Sequence, residues 1–362
     1  MNILIAYIAR FMGLYLLCFG LAGCINGGTA NLSSEEATGE PEPASSLILV
    51  EYRNHPNFRI SQMDLDSNEF MELFNIPNSG WVNQLALSPD GRRLALSYTP
   101  PPENADMPMF GKADISLMML DEWGLPTNPE PVPLITQEES GVFYYNPTWT
   151  PDGQTLFYIH TTPNPLNESG INLMLMRYDL ETQHSVEIAA DGIWPRVSPD
   201  GQRITYIHVN PKSMERSLVT TDLDGNEQVE LIPAGEFFDI DSPLFSGDSQ
   251  WVYFAAAPQG NVLSNDSSAI PWWLRLLGTR RAAAHSNHNV PSDWWRVPAM
   301  GGEPEQLTDR DQQLEIVLYG AFDYVTEQLY YSTMNGLFVM DSAGNKIEQL
   351  DAARYYRTFA VR

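Results

Sequence analysis

The 362-residue chain carries 46 Asp and Glu against 20 Lys and Arg, a formal net charge of −26. Such a surface repels phosphate backbones and anionic lipid, which excludes nucleic acid as a partner and disfavours membrane adhesion through the main surface. With 43% hydrophobic and 11% aromatic residues the chain can build a substantial core, and 27 prolines with 25 glycines point to many turns.

The first 23 residues read as an export signal. A weakly positive start ends at Arg10, and the apolar run Phe11–Leu21 is long enough for a signal core and too short to span a bilayer. Leu21-Ala22-Gly23-Cys24 then resembles the bacterial lipobox, in which lipid is attached to the cysteine and the signal is cut just before it. The other cysteine, Cys18, lies inside the segment to be removed, so no disulfide is expected. Residues 24–45 read as the lipidated Cys24 followed by a flexible tether. Its 21 residues after the cysteine are rich in Gly, Ser, Thr, Glu and Pro, with a span of about 25 Å. The folded part is expected to begin at Ser46.

From there the chain repeats. Leu87-Ser88-Pro89-Asp90-Gly91, Trp149-Thr150-Pro151-Asp152-Gly153 and Val197-Ser198-Pro199-Asp200-Gly201 align, and Phe245-Ser246-Gly247-Asp248-Ser249 is a degenerate fourth copy. Asp90 and Asp152 are 62 residues apart, and Asp152, Asp200 and Asp248 follow at intervals of 48. A worn fifth copy centres on Phe322-Asp323-Tyr324. Proline presets φ, Asp accepts backbone amides and Gly takes positive φ, so each copy predicts a tight reversal between strands. An apolar alternating run follows each: Arg93–Tyr98, Thr155–His160, Arg203–His208, Trp251–Ala256 and Gln328–Thr333. Downstream, a strand ending in an Asp hairpin recurs at Asp64, Asp121, Asp179, Asp222 and Asp341, with Pro298–Glu303 as a sixth counterpart. Four antiparallel strands in about 45 residues are the signature of a propeller blade.

Six third-strand marks against five turns leave one inner strand missing. Thr358–Arg362 has the required apolar pattern, so the C-terminal strand is expected to pair into the N-terminal blade and close an all-β, six-bladed propeller over residues 46–362. The Ser-Pro-Asp-Gly turns, Trp149 before one of them, and Gly301–Thr308 ending a blade together resemble the TolB-like six-bladed β-propeller family. That family includes TolB, which partners a peptidoglycan-associated lipoprotein, and the propeller domains of prolyl oligopeptidase-like enzymes. The N-terminal α/β domain of TolB has no counterpart here, so the resemblance implies the propeller and not a TolB role.

Residues that carry chemistry are sparse. There is no Gly-x-Ser-x-Gly elbow, no His-Glu-x-x-His and no phosphate loop, and no cofactor is expected. His160 and His208 occupy the same place in successive repeats, either as ligands on one rim or as half-exposed strand residues. Asp222-Leu223-Asp224-Gly225-Asn226 opens like a calcium loop, but its twelfth position is Pro233 rather than Glu, which favours a plain hairpin. Trp81 and Trp194, expected just ahead of inner strands, are candidates for stacking at the channel mouth. Asn83, Asn146 and Asp241, placed likewise, keep open an alternative: a propeller enzyme, metal-dependent and lactonase-like or active on glycans.

The largest departure from the period is a surplus of 29 residues in blade five, which falls within about 258–292. It contains Trp272, Trp273, Arg275, Leu276 and Leu277, then Arg280 and Arg281, with three arginines against one aspartate. Smaller insertions, Thr99–Lys112 and Thr161–Gly170, occupy the same connection in blades two and three. Tryptophan with arginine suits a protein interface or a membrane–water boundary; packing against the ring is the third reading. The sequence therefore predicts a monomeric, membrane-anchored extracytoplasmic lipoprotein that binds or scaffolds an envelope protein or peptide.

Overall fold

Alternating apolar runs broken every few residues by Pro, Asp and Gly leave the chain little choice but short antiparallel strands. The computed structural model describes residues 46–54, 57–77, 80–101, 113–136, 139, 141–259, 291–309, 317–352 and 355–362. Among them are 24 strands in six four-stranded antiparallel sheets. Written from the inner strand outward, blade one is β24 (Tyr355–Val361), β1 (Ser46–Asn54), β2 (Asn57–Asp64) and β3 (Phe70–Asn75). Blade two is β4 (Trp81–Leu87), β5 (Arg93–Thr99), β6 (Asp114–Met119) and β7 (Val132–Ile135). Blade three is β8 (Phe143–Trp149), β9 (Thr155–Pro163), β10 (Ile171–Asp179) and β11 (His184–Ala190). Blade four is β12 (Gly192–Val197), β13 (Arg203–Val209), β14 (Arg216–Asp222) and β15 (Val229–Ile232). Blade five is β16 (Phe237–Phe245), β17 (Trp251–Pro258), β18 (Asp293–Pro298) and β19 (Glu305–Gln306). Blade six is β20 (Val317–Asp323), β21 (Gln328–Thr333), β22 (Gly336–Asp341) and β23 (Glu348–Asp351). The inner strands contact one another in the cyclic order β4, β8, β12, β16, β20, β24 and back to β4.

The turns repeat in atomic detail. Ser88, Thr150, Ser198 and Ser246 each donate a hydroxyl to the aspartate two residues on, at 2.5, 2.6, 2.5 and 2.5 Å. Each aspartate accepts the amide two residues further, at 3.0 Å in all four copies. The same hydroxyls accept the amide that starts the next strand, from Arg93, Thr155, Arg203 and Trp251. Gly91, Gly153 and Gly201 hold φ of 67°, 66° and 70°; in the degenerate copy Ser249 takes the same place with φ 60°. The worn copy uses Asp323 alone, which accepts the Val325 amide at 2.8 Å and the Thr326 hydroxyl at 2.6 Å.

Closure occurs at the predicted seam. β24 pairs antiparallel with β1, Leu47 facing Val361 and Leu49 facing Phe359. Ser46 and Arg362 exchange backbone bonds of 3.0 and 2.8 Å. The core lies between blades. Ile48, Val50 and Ile60 of blade one pack with Leu85, Leu94 and Leu96 of blade two, and Tyr253 and Trp294 of blade five pack with Phe322 and Tyr331 of blade six. Trp149 donates its indole N–H across the blade boundary to the Ala86 carbonyl at 3.0 Å.

Candidate functional site

Each inner strand of blades three, four and five contains a bulge just before its turn. The ladder shifts between Tyr145 and Thr148, between Ile193 and Arg196, and between Asp241 and Leu244. In each bulge a residue other than glycine adopts positive φ — Asn146 at 48°, Trp194 at 56°, Ser242 at 50° — and a proline follows it, Pro147, Pro195 or Pro243. Proline has no amide to lose and is tolerated where the ladder is already broken. A bulge re-aims the residues beyond it, and here these are the residues that line the channel.

The channel mouth on the face of the Pro-Asp-Gly turns is a cavity of about 660 Å³. The position two residues before the turn hydroxyl supplies Ala86, Thr148, Arg196 and Leu244; by register, Ala321 and Ala360 are the equivalents in blades six and one. All six line the cavity, and Arg196 is the one charged member. Its Nη1 donates to the Pro195 carbonyl at 2.9 Å and its Nη2 to the Tyr319 hydroxyl at 2.9 Å. The guanidinium lies 5.8 Å from the Trp194 ring centroid and 5.5 Å from that of Tyr319. Trp194 and Tyr319 are themselves 5.7 Å apart, and Phe359 meets Tyr319 edge-on at 5.2 Å. Blades four and six are thus tied together, and Tyr319 and Phe359 line the cavity beside Arg196, with Trp194 behind the guanidinium. Tyr324, half exposed, borders the same space.

Two carboxylates at the rim, Asp90 and Asp323, are engaged locally. Asp90 accepts from Ser88 and from the Arg92 amide, and Asp323 is bound within its own turn. Burial pushes the Asp90 pKa up, but the Ser88 hydroxyl, the Arg92 amide and the Arg93 charge outweigh it and hold the pKa below the usual carboxylate value. Arg362 donates to the Glu122 carbonyl at 2.8 Å. Desolvation first, with the Arg92 charge adding to it, lowers the Arg362 pKa against the opposing pull of Asp121.

No protein-family model and no curated protein matches the chain. Solved structures do. TolB from Acinetobacter baumannii superposes with TM-score 0.60 at 15% identity, over 90% of this chain and 68% of that one. The fold is a TolB-like six-bladed β-propeller. A TolB candidate from Agrobacterium tumefaciens gives 0.56 at 16% identity over 88% and 98% of the two chains. A chain of a nidogen/laminin complex gives 0.55 at 11% identity over 88% and 98%.

The TolB-like propeller places the sequence candidates unevenly. Trp81 and Trp194 lie within inner strands β4 and β12, not ahead of them, as do Asn83, Asn146 and Asp241 in β4, β8 and β16. The bulges account for the difference, because the paired part of each inner strand begins before its bend. Trp81 packs edge-on against Phe58 of blade one at 4.5 Å and donates to Asn83 at 3.2 Å. Trp194 is 7% exposed and backs Arg196. His160 and His208 do sit at matching places in β9 and β13, opposite Met174 and Ser217. His160 lies 5.0 Å from the Tyr144 ring, and burial lowers its pKa despite Glu187. Asp241, with Asp239, lies 2.9 Å from Nη1 of Arg216, an ion cluster joining β14 to β16. Asp222 accepts the amides of Asp224 and Asn226 at 3.1 and 2.8 Å, the bonding of a hairpin. Among the described residues, no three His, Cys, Asp or Glu side chains are grouped to hold a metal.

Cys24, residues 1–45 and most of the blade-five insertion, including Trp272, Trp273, Arg275, Leu276, Leu277, Arg280 and Arg281, lie outside the described residues. The insertion's flanks are in place: β17 ends at Pro258 and β18 begins at Asp293. The ends of β17 and β18 that flank the insertion, Pro258 and Asp293, lie on the face opposite the turns and the cavity. Arg196, Tyr319 and Tyr324 were not singled out from the sequence. Aligning the repeat two residues before each turn hydroxyl exposes Arg196 as the odd member.

Proposed function

We propose that this chain is an extracytoplasmic bacterial lipoprotein. Residues 1–23 direct export, Cys24 carries the lipid, and residues 24–45 tether a propeller that binds or scaffolds an envelope protein or peptide. The observation that carries the binding reading is the turn-face cavity with Arg196 at its base. Its walls are inner strands, Asp90 and Asp323 beside it are engaged in their own turns, and it sits at the mouth of the closed ring. Loops and concavities on rigid scaffolds are where recognition concentrates. The likeness to TolB structures supports a propeller used in recognition. The blade-five insertion, with Trp272 and Trp273, supplies a second contact.

A binding role is favoured over a catalytic one. Asn83 and Asp241, needed by a metal-dependent reading, are bonded to Trp81 and Arg216 instead. Two measurements test the proposal. Cys24→Ser is expected to leave the membrane fraction or to retain its signal, whereas fractionation and migration like the parent contradicts the tether. Affinity capture from native envelopes is expected to recover one partner in stoichiometric amount.

A further inference from the structure

We infer that the turn-face cavity is a carboxylate site, with Arg196 as the anion clamp and an apolar wall for the group that carries the carboxylate. This rests on the binding reading above and names the chemistry of the bound group.

A protein of net charge −26 repels anions, so a site for one needs a specific local cation. Arg196 is that cation. Among the described residues it makes no ion pair, although the chain holds 46 acidic residues. Asp90 and Asp323 do not compensate it, because they turn their oxygens into their own turns, and Glu122, the third acid of the lining, forms no ion pair with it. A cross-channel tie to Tyr319 alone needs only a neutral donor, and a permanent charge there calls for another partner.

The clamp is also oriented. Contacts with the Pro195 carbonyl and the Tyr319 hydroxyl, and two aromatic rings close to the guanidinium, fix its plane. Arginine has five N–H donors in a rigid fork; two are used here, which leaves three for a ligand. A planar carboxylate matches that fork with two parallel bonds. One guanidinium at the base suits a monoanion better than a phosphate dianion. Leu85, Leu244, Ala321 and Phe359 supply the apolar side of the cavity, and Arg92 and Arg362 at the rim add attraction without blocking the base. The ligand class is therefore a carboxylate on an apolar body. It comes either from a small free acid or from the C-terminal residue of a peptide.

Isothermal titration of the purified full-length chain separates these. The probes are N-acetyl-phenylalanine and an acetylated hexapeptide ending in phenylalanine, each as the free acid and as the C-terminal amide. At least one acid is expected to bind, and its amide to bind about tenfold or more weaker. Arg196→Gln, folded by circular dichroism, is expected to lose the acid to the same extent, and Arg196→Lys to keep part of the affinity. Tighter binding of the peptide assigns the site to a chain terminus, and equal binding assigns it to a small acid. Acid and amide binding alike, neither acid binding, or Arg196→Gln binding like the parent each overturns the proposal. If Arg196→Gln does not fold, the acid–amide comparison on the parent still decides. No envelope protein enters this titration, so its failure leaves the capture experiment standing.

Discussion

The backbone amide of Asp200, in the turn of blade four, donates to the side-chain hydroxyl of Ser249, in the turn of blade five, at 3.2 Å. Ser249 stands where the other three turns have glycine and holds φ 60°. This departure from the motif therefore stitches two blades together, and it does so from a conformation that disfavours any side chain.

Two substitutions separate the terms. Ser249→Ala keeps the unfavourable φ and loses the bond, so it is expected to destabilise by about 1 kcal/mol. Ser249→Gly loses the bond and relieves the backbone, so it is expected to stay within about 1 kcal/mol of the parent. Urea unfolding measures both. An alanine variant as stable as the parent contradicts the stitch.

The ion cluster between blades four and five is the second test. Arg216, mostly buried, lies against the buried Asp239 and Asp241. Burial disfavours its charge, but the two carboxylates outweigh that and raise its pKa. Arg216→Ala leaves buried carboxylates without their guanidinium and is expected to cost about 3–5 kcal/mol. Arg216→Met combined with Asp239→Asn and Asp241→Asn is expected to recover much of the loss. Equal instability of the single and triple variants contradicts an electrostatic role.

Much of this fold was legible because the repeat is written in turn chemistry. Ser, Pro, Asp and Gly each have one physical task in the reversal, so the strands between them, and the closing strand at the C-terminus, followed by counting. The bulges were not legible. Asn146-Pro147, Trp194-Pro195 and Ser242-Pro243 resemble strand ends by propensity, because the residue before proline normally stays extended. Only the ladder of the neighbouring strand holds Asn146, Trp194 and Ser242 at positive φ. The site depends on those bulges: Trp194, a candidate for stacking in the sequence, lies beside the Arg196 guanidinium in the structure. His160 and His208 were found as a matched pair because they follow the turns at fixed distance, but their shared position reflects the repeat.

Closure gives a third prediction. Deleting Thr358–Arg362 removes Phe359, which is 1% exposed, and the inner partner of β1. Loss of that buried phenylalanine alone costs about 3–5 kcal/mol, and the opened edge adds to it. Differential scanning calorimetry should show a melting temperature lower by about 10 °C or more. An unchanged value contradicts closure at this seam.

The turn aspartates give a fourth. The Thr150 hydroxyl and the Gln154 amide hold the Asp152 pKa below its ordinary 3.8, and Ser246 with Gln250 does the same for Asp248. A depressed folded pKa contributes stability that is complete above the unfolded value and is lost as pH falls through the folded one. Melting temperature is therefore expected to hold or rise from about pH 7 to about pH 5, as the net negative charge relaxes, and to fall below about pH 4. Asp152→Asn and Asp248→Asn should melt lower at neutral pH and show a shallower acid limb. Acid limbs parallel to the parent's contradict the role assigned to these carboxylates.

The central claim is that the closed ring binds an envelope component through its turn-face cavity. Quantitative affinity capture from native envelopes, comparing the full-length parent with Ala321→Trp, tests it most directly. Ala321 lines the cavity in β20, and a tryptophan there fills the space above Arg196. The account predicts that the parent recovers one partner in stoichiometric amount and that Ala321→Trp, folded by circular dichroism, loses it. Undiminished recovery by the folded variant, or no stoichiometric partner for the parent, contradicts the account.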